Sequence, residues 1–155
     1  MKLISLLALL AFQIKNRKLK DQNISEAAIG WHISHTLLVI NNVVNTLIAS
    51  NPDDYVKTEN RIRENVLNRK EIKRGVAKSP KAVNPGTETK KHQIKYLLDQ
   101  AKVNSVKLKL IPKKAHFTHL TMGMLNKKEA IKFLKIHTKH HLKIIKEIER
   151  ADSNR

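Results

Sequence analysis

The stretch Phe133-Leu134-Lys135-Ile136-His137-Thr138-Lys139-His140-His141-Leu142-Lys143-Ile144-Ile145 decides how this chain folds. No Pro or Gly occurs from Asn126 to Arg155, so one long helix capped by Asn126 is expected there. Its apolar face runs through Ala130, Phe133 and Leu134, then Ile144, Ile145 and Ile148. Steps of three and four along that face pass through His137 and His141, while Lys132, Lys135, Lys139, Lys143 and Lys146 take the opposite side. His140 is rotated off the 137/141 face. Two imidazoles one turn apart thus stand where core aliphatics belong. Polar groups buried without partners cost several kcal/mol, and a metal ion is one partner that would offset this.

The other elements follow from punctuation and periodicity. Asn23-Ile24-Ser25-Glu26 signals a helix start with Asn23 or Ser25 as cap, and Asn51-Pro52-Asp53-Asp54 signals its end. The apolar face between them uses Ile29, Ile33, Leu37, Ile40, Val44 and Leu47, with His32 beside it and His35 rotated by about 60°. One of these two histidines is expected to point inward. Residues 55–75 are highly charged and carry a weak stripe of Ile62, Val66, Leu67 and Ile72, which suits a short or mobile helix. Gly75–Gly86 reads as a crossover loop. Residues 87–110 repeat the amphipathic pattern through Ile94, Leu97, Leu98, Ala101, Ser105 and Leu108, and Pro112 closes it. Ala115–Leu125 reads as a loop rich in His and Met.

Met1–Phe12 (MKLISLLALLAF) is either the core of a signal peptide or an opening helix packed on the body. Continuation of the apolar pattern to Ile14 and Leu19 favours the packed helix. The run is too short to span a bilayer. With 155 residues, few Gly and Pro and no run of alternating strand-like residues, the expected fold is a single all-α domain over 1–155, with 1–22 as an N-terminal helix or extension.

Composition restricts the chemistry. There is no Cys, so disulfides and thiol nucleophiles are excluded and a metal site must use His, carboxylate or water. The net charge is +18 and rises along the chain: 5 basic against 2 acidic residues in 1–50, 10 against 6 in 51–90, and 16 against 5 in 91–155. A polyanionic partner such as nucleic acid is therefore an alternative reading. Against it, Lys greatly outnumbers Arg, the residue suited to bidentate phosphate recognition. There is no HExxH, no GxSxG and no phosphate-cradling Gly loop. Glu26 and Glu129 fall in first turns and Asp99 lies near Lys95 and Lys102, so no carboxylate general base stands out.

His137 and His141 at i and i+4 have the spacing of a metal-ligand pair on one helix face. The facing candidate is His32, with His35, His116 and His119 in reserve. Three histidines and a water suit Zn²⁺, Ni²⁺ or Fe²⁺. His119 and His35 are the candidates for proton transfer beside the metal.

Several stretches in this order resemble the DinB/YfiT-like superfamily, nearest to an uncharacterised bacterial branch of the Bacteroidetes type. They are Gly30-Trp31-His32-Ile33-Ser34-His35-Thr36-Leu37-Leu38-Val39-Ile40, Arg74-Gly75-Val76-Ala77-Lys78-Ser79-Pro80-Lys81, His119–Asn126, and His137-Thr138-Lys139-His140-His141-Leu142. The resemblance covers most of residues 23–148. It implies an up-down-down-up four-helix bundle, dimeric in many members. It also implies a metal triad of His32, His137 and His141. The chain departs from the branch at His119-Leu120-Thr121-Met122-Gly123, which lacks a Pro and a Phe, and at 55–70, which is more basic. The superfamily includes thiol-dependent transferases and a mycothiol-dependent isomerase. The implied function is a cytoplasmic divalent-metal protein, a hydrolase or thiol-dependent transferase with a small-molecule or thiol substrate. The alternatives are a basic module for nucleic acid or anionic surfaces, and a structural bundle whose histidines are vestigial.

Overall fold

A computed structural model describes residues 1–75, 79–87 and 89–154. The described residues are mostly helical and form five α-helices and one two-stranded sheet. The longest helix, α5 (Lys127–Ser153), begins as its sequence dictates. The Asn126 side chain accepts the Glu129 N–H at 3.0 Å, and the Glu129 carboxylate accepts the Asn126 N–H at 3.0 Å. This reciprocal cap satisfies two otherwise orphaned donors. The buried face of α5 runs from Ala130 through Phe133, Leu134 and His141 to Ile144, Ile145 and Ile148.

Helix α1 (Leu3–Gln13) lays Leu3, Leu6, Leu7 and Leu10 into the core. Helix α2 (Ile29–Ala49) starts later than Asn23 or Ser25 would have it. Residues 21–25 instead form a turn in which Ile24 and Ser25 N–H donate to the Asp21 carbonyl. Ile29 and Gly30 N–H donate to the carbonyls of Leu19 (2.9 Å) and Arg17 (2.8 Å). Backbone carbonyls from the preceding turn thus replace a side-chain cap. Gly30 permits this approach: a Cβ there would collide with Thr89 Oγ1 and lie 2.9 Å from the Arg17 carbonyl oxygen.

Helix α3 (Arg61–Arg69) is short, as its charge density suggests, but its stripe is only partly buried. Leu67 is in the core and Ile62 faces solvent. Arg63 is buried, donating to the carbonyls of Met124 (2.8 Å) and Thr58 and lying 3.6 Å from Glu129. It ties α3 to the start of α5. Helix α4 (Lys91–Lys107) buries Ile94, Leu98, Ala101 and Asn104. Asn104 donates to Asn41 Oδ1 (3.0 Å) and Asn41 donates to the Leu97 carbonyl (3.0 Å), a closed polar bridge between α2 and α4.

The expected loop at Ala115–Leu125 is instead a hairpin of β1 (His116–His119) and β2 (Gly123–Asn126), paired from His116↔Asn126 to His119↔Gly123. The buried pair Phe117↔Leu125 anchors its inner face. Gly123, at φ +66°, closes the three-residue turn 120–122. The hairpin delivers the chain into the Asn126 cap.

Helices α2 and α1 each pack on both α4 and α5, and the hairpin packs on α2 and α5. Residues 76–78 of the crossover loop 75–86 lie outside the described residues. Its described part carries a single 3₁₀ turn at Lys81–Val83, which places buried Val83 against α2. Among the described residues, no helix is long and apolar enough to cross a membrane.

Candidate metal centre

Four histidines meet between α2 and α5. His32 and His35 come from the first two turns of α2 and His137 and His141 from the middle of α5. Only one α2 histidine was expected to point inward, yet both are buried. The reason is packing: α2 touches α4, α5, α1 and β1, so it is buried over an arc wide enough to hold both. Ring nitrogens of His35, His137 and His141 all lie within 4.8 Å of one another, close enough to hold a metal ion. His32 stands behind, its Nδ1 3.0 Å from Nδ1 of His141.

The hydrogen bonds around the cluster determine where lone pairs are free. His35 Nδ1 lies 2.7 Å from the Val83 carbonyl. A carbonyl only accepts, so this nitrogen carries the proton and Nε2 of His35 is bare. That bare Nε2 is 3.2 Å from Nε2 of His137. Two imidazole nitrogens bound to one tetrahedral ion at roughly 2.0–2.1 Å would stand about 3.4 Å apart, so this pair is spaced like co-ligands. His32 Nε2 meets Ser25 Oγ at 3.0 Å, and Ser25 Oγ also accepts the Ala27 N–H at 3.1 Å. Two proton placements satisfy the chain Ser25–His32–His141. In one of them His32 donates to Ser25 and His141 donates to His32, leaving Nε2 of His141 bare. A metal ion would select that placement, with His32 orienting the ligand from behind.

Every ring in the cluster is held in its neutral form. Burial pushes His32 from 6.5 down to about 4, and His35, His140 and Arg74 add to the effect. Burial also lowers His35, opposed by its bond to the Val83 carbonyl. His137 and His141 are held well below the usual imidazole range, first by burial and then by neighbouring rings. Neutral imidazoles are the ligating form, so the site needs no deprotonation at pH 7. His137 Nδ1 is the one buried side-chain polar atom without a hydrogen-bond partner among the described residues. Such an atom costs about 1–3 kcal/mol, so the four rings do not satisfy one another as a closed network. No carboxylate belongs to the group, which suits borderline cations and not Mg²⁺ or Ca²⁺.

Trp31 covers one side, its ring stacked on His35 at 4.9 Å and 13°, with its Nε1 donating to Asn84 Oδ1 at 3.3 Å. His140 lies half-buried at the edge of the cluster, its ring edge-on to His141 at 5.1 Å. Beside it, Arg74 pairs with Glu147 at 2.7 Å. His119 is not in the cluster. Its Nδ1 accepts the N–H groups of Thr121 (3.2 Å) and Met122 (3.4 Å), and its ring meets Phe133, which in turn contacts His137. His116 sits against Tyr55 and the Lys114 carbonyl, away from the four rings. The Val83 carbonyl that sets the His35 tautomer is a backbone group with no signature in side-chain pattern. Ser25 was legible only as a helix cap.

Comparison of the chain with protein-family models, with curated proteins and with solved structures returns no match.

Proposed function

We propose that this chain is a divalent-metal-binding protein whose ion is held by His35, His137 and His141, with His32 as the orienting partner of His141. The convergence of those three ring nitrogens within 4.8 Å, all on neutral rings, is the observation that carries the reading. It differs from the triad that the resemblance implies by exchanging His32 for His35, one turn along the same helix. Zn²⁺, Ni²⁺ and Fe²⁺ all suit three imidazoles with an open position. When bound, such an ion supplies Lewis acidity and an acidified water. His35 then serves as a ligand and is unavailable for proton transfer, which leaves His119 as the acid–base candidate at the margin. The proposal includes the DinB/YfiT-like bundle built from α1, α2, α4 and α5, a cytoplasmic location, a homodimer, and a small-molecule or thiol substrate for hydrolysis or group transfer. The pairing of each of α1 and α2 with both α4 and α5 supports the bundle. The nucleic-acid alternative rests on net charge alone.

Titration of metal-stripped protein with Zn²⁺ and Ni²⁺, followed calorimetrically, tests the ligand assignment. H35A, H137A and H141A should each abolish stoichiometric binding, whereas H32A should weaken it about 10–100-fold, as loss of an orienting partner does. Loss of binding in H32A with retention in H35A would restore the triad of His32, His137 and His141. Retention in all four variants would remove the metal reading.

A further inference from the structure

Helix α1 is apolar nearly all round, although it lies on the surface. One side fills the core through Leu3, Leu6, Leu7 and Leu10. The other side carries Ile4, Ala8, Leu9 and Phe12, all exposed, with Ser5 as the only polar residue among them, and exposed Met1 precedes the helix. Phe12 is 64% exposed and Met1 69%, so these are not edges of core residues. At about 100° per residue, Ile4, Ala8, Phe12, Ser5 and Leu9 sweep one continuous arc of roughly 140°. A contiguous exposed apolar face of this kind marks an interaction surface.

The charges around the face identify its occupant. Lys2 stands at one end and Lys15 at the other, with its ammonium 4.3 Å over the Phe12 ring. Arg17, Lys18 and Lys20 follow, and no acidic residue occurs before Asp21. Glu149 of α5 accepts from the Asn16 side chain at 2.6 Å. A second copy crossing antiparallel on this face would bring Lys2 of each chain against Lys15 of the other, with +18 on both chains. That contact sets like charges together and is opposed electrostatically. A nucleic acid would engage the lysines but leave the aliphatic side chains uncovered. An anionic bilayer surface satisfies both parts: acyl chains and headgroup boundary for the apolar arc, anionic headgroups for the flanking cations. An 11-residue helix is about 16 Å long, half of a roughly 30 Å hydrocarbon core, so α1 would lie in the interface and not cross it.

We infer that the outer face of α1 docks this protein on membrane surfaces rich in anionic phospholipid.

Co-flotation of the full-length chain with phosphatidylcholine vesicles, with and without about one third phosphatidylserine, tests the inference. Wild-type protein should float with the anionic vesicles and not with the neutral ones. The double variant Ile4→Gln, Phe12→Gln should bind the anionic vesicles at least about tenfold more weakly, because two large side chains of the apolar face are removed while every charge is kept. Both side chains are exposed, and an unchanged thermal melt by circular dichroism will show that the variant is folded. Three results would overturn the inference: no flotation of the wild type; equal flotation of wild type and variant, which would assign binding to charge alone; or a dimer in light scattering that the variant converts to monomer, which would assign the face to a second copy.

Discussion

Acid should unfold the metal-free protein through its imidazole cluster, and His32 gives the size of the effect. Its folded-state value is about 4 against 6.5 in the unfolded chain, because burial disfavours the imidazolium. The sign follows from proton binding. Above pH 6.5 the ring is neutral in both states and contributes no pH dependence. Between 6.5 and 4 the unfolded chain takes up a proton that the folded chain refuses, so stability falls as pH falls. Below 4 both states are protonated and the slope ends. At pH 5 the difference from His32 alone is about 2 kcal/mol. His35, His137 and His141 are shifted in the same direction, so the whole cluster costs more than this. The assay is urea denaturation of chelator-treated wild type and H32Q at pH 7.5 and pH 5. Wild type should lose more than 2 kcal/mol across that interval and H32Q about 2 kcal/mol less. Equal losses in the two proteins, or a flat wild-type profile, would refute the claim that the ring is kept neutral by burial.

Three further outcomes follow from the packing. Gly30→Ala should destabilise by about 1–3 kcal/mol in chemical denaturation, although Gly-to-Ala inside a helix ordinarily gains close to 1 kcal/mol, because the added methyl meets the Arg17 carbonyl. Asn104→Ala should cost about 1–3 kcal/mol by stranding Asn41 Oδ1, and the N41L/N104L pair should cost less than the sum of the two single leucine variants. His119→Ala should lower stability by about 1 kcal/mol, since its Nδ1 holds the hairpin turn, while leaving zinc affinity in calorimetry unchanged, since its ring is outside the cluster.

How far the sequence could be read depended on the kind of signal. The main core stripe of α5 and the Asn126 cap were legible, because both are local and periodic, whereas the return bond from Glu129 and the burial of Ile136, Thr138 and Leu142 were not read. The convergence of an α2 histidine on His137 and His141 was legible too. Which of His32 and His35 brings a ring nitrogen within 4.8 Å of both His137 and His141 was not, because the two differ by about 60° on a helix buried over a wide arc, where periodicity loses its discriminating power. The start of α2 was misplaced because its first donors are satisfied by the Leu19 and Arg17 carbonyls, contacts with no sequence signature. The hairpin at 116–126 has strands of four residues, too short for alternation to register, and its turn is set by Gly123. Arg63 lies in a highly charged run with nothing to single it out, yet three oxygens from the hairpin, the preceding loop and α5 surround it.

The most direct measurement for the metal-binding claim is the metal content of the protein purified without a polyhistidine tag, read by plasma mass spectrometry beside its melting temperature with added Zn²⁺ or Ni²⁺. About one equivalent of a divalent transition metal per chain is expected, or a melting temperature that rises on adding the ion to stripped protein. Negligible metal together with an unchanged melting temperature would contradict it.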